Sequence, residues 1–325
     1  MQIYHDFNEI PKSIEPAFVT IGNFDGVHKG HRLLFERAVS KARTAKGRSG
    51  AITFDPHPFK VLRPDGIKLI STAEQKVELI RQTGIDFLLV LPFTRELAAT
   101  PAGEFVDLIL AALRMKELVV GYDYAFGRGR EGDIHFLKNQ GEEKGFSVTV
   151  IEALHVEQML VSSTRIRELV GEGRMRDVAK LMGRPYQIRG EVKVGEKRGG
   201  AEIGFPTANL HISSEDLCPK HGVYVVQVTY GGHCYGGVIN IGKNPTFDRG
   251  GDPTIMAETH IFDFNQDIYG QPIKINLLRY LRGEKKFSGI KELAAQIADD
   301  VSQAKEVLED AKKELLLACE DSYNH

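Results

Sequence analysis

Phe18-Val19-Thr20-Ile21-Gly22-Asn23-Phe24-Asp25-Gly26-Val27-His28-Lys29-Gly30-His31 is the stretch that decides the fold. Phe18–Ile21 is an apolar run of strand type, and Leu33, Leu34, Ala38 and Val39 beyond it recur at helical spacing. Between the two lies a turn containing Gly22, Gly26 and Gly30. A glycine-rich turn from strand to helix leaves free backbone N–H groups at a helix start, where anions bind. His28 and His31, three residues apart, share one face of that first turn. The arrangement suits the phosphate chain of a nucleotide. An H-x-x-H spacing alone is weak evidence, and the strand, glycines and helix around it supply the weight.

Working outward, the chain of 325 residues favours two domains. Hydrophobic content of 42% and charged content of 26% are those of an ordinary globular protein. A formal charge of −2 gives no broad electrostatic case for nucleic-acid or membrane binding. Cys218, Cys234 and Cys319 are far apart and form no C-x-x-C pair, so neither a disulfide framework nor a zinc site is expected. The N-terminus lacks the basic and apolar regions of a secretory signal, and Phe87–Leu91 is too short to span a bilayer. A cytoplasmic location is the expectation.

Residues 15 to about 155 alternate strand-like and helix-like segments, with strands expected at Phe18–Ile21, Ala51–Phe54, Phe87–Leu91, Glu117–Gly121 and Ser147–Ile151. Such alternation implies an α/β domain with a doubly wound parallel sheet and ligands at the carboxyl ends of its strands. Ser71-Thr72-Ala73-Glu74 reads as a capping box opening a helix to Gln82. Thr100-Pro101 reads as an N-cap followed by proline at the first helical position. The pattern changes after Gly183-Arg184-Pro185. Strand-like runs at Tyr186–Val194, Val223–Tyr230, Tyr235–Ile241, Ile255–Phe262 and Ile273–Tyr280 suggest a small antiparallel β-barrel or sandwich. Ile290, Leu293, Ile297, Val301, Ala304, Leu308, Ala311 and Leu315 then mark one face of a long C-terminal helix that packs on it. The domains expected are 1–182 and 183–325.

Further segments carry chemistry. Ser162-Ser163-Thr164-Arg165-Ile166-Arg167 combines hydroxyls at a helix start with two guanidinium groups suited to a triphosphate. The bland alternative is a plain helix cap with exposed arginines. Phe54-Asp55-Pro56-His57 and Gly121–Gly127, with Asp123 and Phe126, follow two strands and open over the same sheet edge, where aromatic side chains either stack on a flat ring or complete the core. No Walker A sequence is present. In Gly195–Leu210, glycines at 195, 199, 200 and 204 make a loop able to wrap phosphate. Pro206 leads into Thr207 and Asn209, neutral oxygen donors on one side of an extended segment and suited to Mg²⁺ bridged to phosphates. Glu258, on a strand face with His260 and Phe262, is a candidate proton acceptor. Asn240–Phe247 is a turn-rich neighbour able to form a lid, and Arg279, Arg282 and Glu284 cluster before Phe287.

Together these motifs resemble the bacterial bifunctional riboflavin kinase/FAD synthetase family, over essentially the whole chain. Gly22–His31, Asp55–Pro58, Gly121–Gly127 and Ser162–Arg167 resemble its HxGH nucleotidyltransferase-like module, and Gly204-Phe205-Pro206-Thr207-Ala208-Asn209-Leu210 resembles the signature of its kinase module. The resemblance implies a six-stranded barrel with a C-terminal helix, and two reactions. Riboflavin and ATP give FMN, and FMN and a second ATP give FAD and pyrophosphate, with Mg²⁺ as cofactor, small-molecule substrates as partners, and no nucleic-acid or membrane partner expected. His28 and His31 would contact ATP phosphates within a pocket formed by Gly22, Asn23, Phe24, Asp25 and Gly26. Ser163, Thr164, Arg165 and Arg167 would hold the triphosphate from the other side. Phe54, Asp55, His57, Asp123 and Phe126 would lie near the flavin. In the kinase module Gly195, Gly199, Gly204 and Pro206 would shape the ATP loop, Thr207 and Asn209 would bind Mg²⁺ and phosphates, and Glu258 would activate the ribityl 5′-hydroxyl. The alternative is an adenylyltransferase for another small phosphate ester with the barrel as an accessory, which leaves Thr207, Asn209 and Glu258 idle.

Overall fold

A computed structural model describes residues 1–11, 16–193, 205–243 and 255–313. Two compact units result, Met1–Ser163 and Thr164–His325.

The first unit is built on a six-stranded sheet in the order β1-β4-β3-β2-β5-β6, all parallel. The strands are β1 (Gln2–Tyr4), β2 (Ala17–Ile21), β3 (Arg48–Asp55), β4 (Phe87–Pro92), β5 (Met115–Gly121) and β6 (Ser147–Ile151). Its helices are α1 (Lys29–Ala45), α2 (Pro58–Leu62), α3 (Ala73–Arg81), α4 (Arg95–Ala99), α5 (Ala102–Ala112) and α6 (Ile134–Lys144). All the expected strands form. The edge strand β1 and a short hairpin, β7 (His155–Val156) with β8 (Met159–Leu160), are additions, both too short to show a period. Strand order runs one way from β2 to β4 and the other way from β5 to β6, so the direction switches between β2 and β5. Crevices at such switch points hold ligands.

Burial on both faces explains why these strands read as continuous apolar runs. Ala17, Val19, Ile21 and Ile52 face a core with Phe105, Val106 and Ile109, while Ala51, Leu88 and Val119 face Leu34, Phe35, Ala38 and Leu79. Gly50 sits under the Phe87 ring, where a Cβ would overlap ring atoms. Gly50→Ala is therefore expected to destabilise the protein by about 1–3 kcal/mol through overpacking, a loss readable as a lower denaturation midpoint with unchanged m-value.

Two helix starts differ from expectation. The capping box of α3 is formed by Thr72 and Gln75, one residue beyond the expected Ser71–Glu74 pair, because Ser71 is engaged by Asp25 and Gly26. Pro101, not Thr100, is the N-cap of α5, and Glu131 accepts from Ala102 N at 2.9 Å in place of a cap. Thr100 instead closes α4.

In the second unit α7 (Ser163–Glu172), which starts at the last residue of the first, and α8 (Met175–Met182) lead into β9 (Tyr186–Glu191), β10 (Ala208–Ile212), β11 (Gly222–Tyr230), β12 (His233–Lys243), β13 (Ile255–Ile261) and β14 (Pro272–Arg282). These form an antiparallel sheet in the order β10-β13-β12-β11-β14-β9. A bridge between Lys193 and Asn209, with Lys193 N donating to Asn209 O at 2.8 Å, joins the two edges into a near-barrel. Strand β10 was not expected, because Ala208–Ile212 follows a glycine-rich loop with no alternating signal of its own. Conversely β9 stops at Glu191, short of the expected Val194, and Asn240–Lys243 belong to β12 rather than to a lid; residues 244–247 of that segment lie outside the described residues. Helices α7, from Thr164 on, and α8 fall in the second unit, with Lys220 N donating to Val170 O and α8 against β14 and β9.

Helix α9 (Ile290–Lys313) lies across β11 and β12, burying Ala304, Val307 and Leu308 against Val223, Val225 and Val238. Ile290, expected on the packed face, is 60% exposed. Arg282 clamps the helix instead, donating to the buried Asp300 carboxylate from Nε at 2.8 Å and Nη2 at 2.6 Å. Cys218 is a free thiol, whereas Cys234 is disulfide-bonded, a correction to the cysteine reading.

Candidate functional sites

The turn after β2 is held at many points. Gly22 N extends the ladder to Ile52 O, and Thr53 Oγ1 donates to Asn23 O, tying the turn to the end of β3. Gly26 takes φ of 78°, as a glycine readily does, but Phe24 at 50° and Val27 at 40° also lie in the left-handed region. For a β-branched valine this is strained backbone, which persists where the surroundings over-determine it. Those surroundings are the buried Asp25 carboxylate, which accepts from Ile70 N at 3.1 Å and Ser71 N at 3.2 Å. Asp25 thus shapes the pocket by fixing the neighbouring loop. Ser163 Oγ donates to Asp25 O at 3.1 Å, which places Ser163 itself at the turn. Thr164, Arg165 and Arg167 continue along α7 in the second unit, where Arg165 pairs with Glu168 at 2.7 Å.

His28 caps α1, its Nδ1 accepting from His31 N at 3.2 Å. That bond assigns the ring proton of a neutral His28 to Nε2. The two imidazoles stack with centroids 3.5 Å apart and planes 16° from parallel. Gly30 permits this, since a Cβ there would stand 3.2 Å from the His28 ring. Phe24 is a buried core residue rather than an open pocket wall, with the His31 ring edge-on at 5.3 Å and Phe35 at 4.6 Å. Burial holds the His31 pKa well below its ordinary 6.5, assisted by the nearby charges of His28 and Lys76. His31 is therefore a neutral imidazole, and its Nδ1 is buried without a hydrogen-bond partner among the described residues.

The carboxyl ends of β3 and β5 flank this turn, as expected. Phe54 is half-buried edge-on to Phe93 at 5.5 Å, and Asp55 is exposed beyond it. His57 is buried and turned inward, its Nδ1 accepting from Phe59 N at 3.1 Å as the cap of α2, so its expected place beside the flavin has no exposed ring to support it. Asp123 is exposed after β5, whereas Phe126 packs among Phe105, Tyr124 and Phe136 as a rim-of-core aromatic. One residue escaped the sequence reading. Lys76 on α3 is buried, and its Nζ donates to Phe54 O at 3.0 Å. Its signal was legible: a lysine on the helix face that otherwise buries Gln75, Leu79 and Ile80.

In the second unit Asn209 on β10 stands opposite Glu258 on β13, and Glu258 stands opposite Asn240 on β12. Directly opposed residues project from the same face, so this polar row crosses the outer face while Ala208, Leu210, Ala257 and Thr259 fill the interior. Glu258 reaches solvent, yet its carboxyl is raised above its ordinary 4.5 because neighbours partly desolvate it. Asn209 is buried, with Nδ2 3.5 Å from Thr207 O. His260 Nδ1 meets Pro206 O at 3.0 Å and Phe205 lies edge-on to its ring, pinning the entry to Thr207 against β13. Gly195, Gly199 and Gly204 lie outside the described residues. Arg282, bound to Asp300, is part of the helix clamp.

Comparison with known proteins matches both units. The FAD synthetase family model matches residues 10–165 and the riboflavin kinase family model residues 182–308. The chain is 35% identical to the bifunctional riboflavin kinase/FMN adenylyltransferase of Bacillus subtilis over 306 residues, covering 94% of this chain and 96% of that one. It is also 35% identical to the enzyme of the same name from Escherichia coli K12, covering 93% and 95%. A crystal structure described as a macrolide-efflux protein from Streptococcus pneumoniae superposes with a TM-score of 0.83 at 32% identity, covering 93% of this chain and 98% of that one. Among the described residues of this chain, no helix is long and apolar enough to cross a membrane.

Proposed function

The chain belongs to the bifunctional riboflavin kinase/FMN adenylyltransferase family, converting riboflavin to FMN and FMN to FAD at the cost of two ATP, and we propose how its residues divide the work. Residues 1–182, ending beyond the Ser163–Arg167 segment, carry adenylyl transfer, and residues 183–325 carry the kinase. The location is the cytoplasm, where ATP is at hand. The observation that carries this reading is the stacked His28–His31 pair at the sheet's switch point.

In adenylyl transfer an FMN phosphate oxygen attacks the α-phosphorus of ATP and pyrophosphate leaves. The attacking oxygen is already ionised, so no base is required. Catalysis then rests on positioning and on stabilising charge at the α-phosphate. The neutral His31 imidazole, the His28 ring and the first-turn N–H groups of α1 supply such donors, with Gly22–Gly26 shaping the ATP pocket and Ser163, Thr164, Arg165 and Arg167 assigned to the triphosphate. Phe54, Asp55 and Asp123 are assigned to the flavin side.

In the kinase the ribityl 5′-hydroxyl must lose a proton as its oxygen attacks the γ-phosphorus. Glu258 is the base in this reading, a role worth roughly 10²–10⁴-fold. Its raised pKa suits a proton acceptor, and the opposed Asn209 and Asn240 suit hydrogen bonding around the reacting groups. Thr207 and Asn209 are neutral oxygen donors that fit Mg²⁺, which takes few protein ligands when phosphates and water complete its shell; bound there, the ion would neutralise phosphate charge.

Product analysis tests the reading. Protein incubated with riboflavin, ATP and Mg²⁺ is expected to form FMN first and FAD after it. FAD formed from supplied FMN, with no ADP released on riboflavin, would instead favour an adenylyltransferase with an accessory barrel.

A further inference from the structure

Lys76 stands where the amphipathic pattern of α3 calls for an apolar residue. It is 8% exposed, and Phe54 O is its hydrogen-bond acceptor among the described residues. An ammonium has three donors, and a buried charge with one bond is expensive to maintain. The ionisable groups facing it are Asp55 at the end of β3, Asp25 in the turn and His31 on α1. None forms an ion pair with it within 4.0 Å among the described residues. Asp25 is committed to the N–H groups of Ile70 and Ser71. The lysine therefore brings a full charge to the carboxyl edge of the sheet without a matched carboxylate. At that same edge the imidazole of His31 is neutral. Adenylyl transfer accumulates negative charge at the α-phosphate, where a neutral His31 offers hydrogen bonds but no charge.

We infer that Lys76 is a further substrate-binding residue of the adenylyl-transfer site, its ammonium holding a phosphoryl oxygen at the point of transfer. The inference rests on the assignment of adenylyl transfer to the His28–His31 turn. A phosphoryl oxygen of ATP and one of FMN share the chemistry, and the kinetics separate them. Desolvation lowers the pKa of Lys76 from its ordinary 10.5, against the opposing pull of Asp55 and Asp25.

The test is Lys76→Met in the full chain, a substitution of similar length that leaves a neutral side chain on an apolar helix face. FAD formation is expected to fall about 10²-fold, as on removal of a preorganised donor to a developing oxyanion, while FMN formation by the barrel is unchanged. A raised KM for FMN alone assigns the oxygen to FMN, and one for ATP alone assigns it to ATP. The parent's adenylylation is expected to decline at a pH below the ordinary lysine value, and K76M to lack that alkaline limb. Adenylylation by K76M within about threefold of the parent overturns the inference. So does a loss matched by equal losses of kinase turnover and cooperative unfolding, which marks a packing role. His31→Ala in the same assay separates the two levels: if it retains adenylylation, the site assignment itself is wrong.

Discussion

His31→Ala is expected to abolish FAD formation from FMN and ATP while leaving FMN formation from riboflavin intact. The substitution removes one ring of the stacked pair and, with it, the side-chain donor assigned to the ATP phosphates. A loss of about 10²–10³-fold corresponds to one preorganised donor, and the loss of stacking support for His28 adds to it. Retained kinase turnover shows that the second unit remains folded. Because burial keeps His31 neutral, FAD formation is expected to show no inflection from this residue at the ordinary histidine value of 6.5. The sign for stability follows. The unfolded chain takes up a proton as the pH falls through 6.5 while folded His31 refuses it, so stability declines over that range and levels off only below the folded pKa. A denaturation midpoint that His31→Ala renders less sensitive to acid is the expected signature.

Glu258→Gln is expected to give the opposite split. FMN formation falls by roughly 10²–10⁴-fold, and FAD formation from supplied FMN persists. Glutamine keeps the volume and hydrogen-bonding reach beside Asn209 and Asn240 but cannot accept the hydroxyl proton. In the parent the kinase rate is expected to fall as the pH drops through a value above the ordinary carboxyl 4.5, because desolvation raises this group and a protonated carboxyl is no base. Kinase activity in E258Q within a few-fold of the parent across that range would remove Glu258 from the role.

Much of both sites is legible in residue order because it depends on short-range geometry. His28 and His31 meet because three residues make nearly one helical turn, and Glu258 shares its strand face with His260 because side chains alternate. What escaped depends on partners far along the chain. The capping box of α3 moves one residue because Asp25, some forty-five positions earlier, engages Ser71. Phe126 closes into an aromatic cluster with Phe105 and Phe136. Strand β10 exists only because β13 and Lys193 give it pairing partners.

By itself the sequence determined the two modules, the parallel strands of the first and the phosphate-type turns, because burial on two faces and backbone freedom in glycine-rich turns leave local patterns. The family resemblance carried in its motifs supplied the two reactions. Tertiary structure alone decided that β2 lies at the switch point, that Asn209, Glu258 and Asn240 line one row, and that the Lys76 ammonium meets the carboxyl end of β3 at Phe54 O. Sheet order, cross-strand register and the loss of water around a charge are set by contacts between distant segments, and no local pattern of residues encodes them.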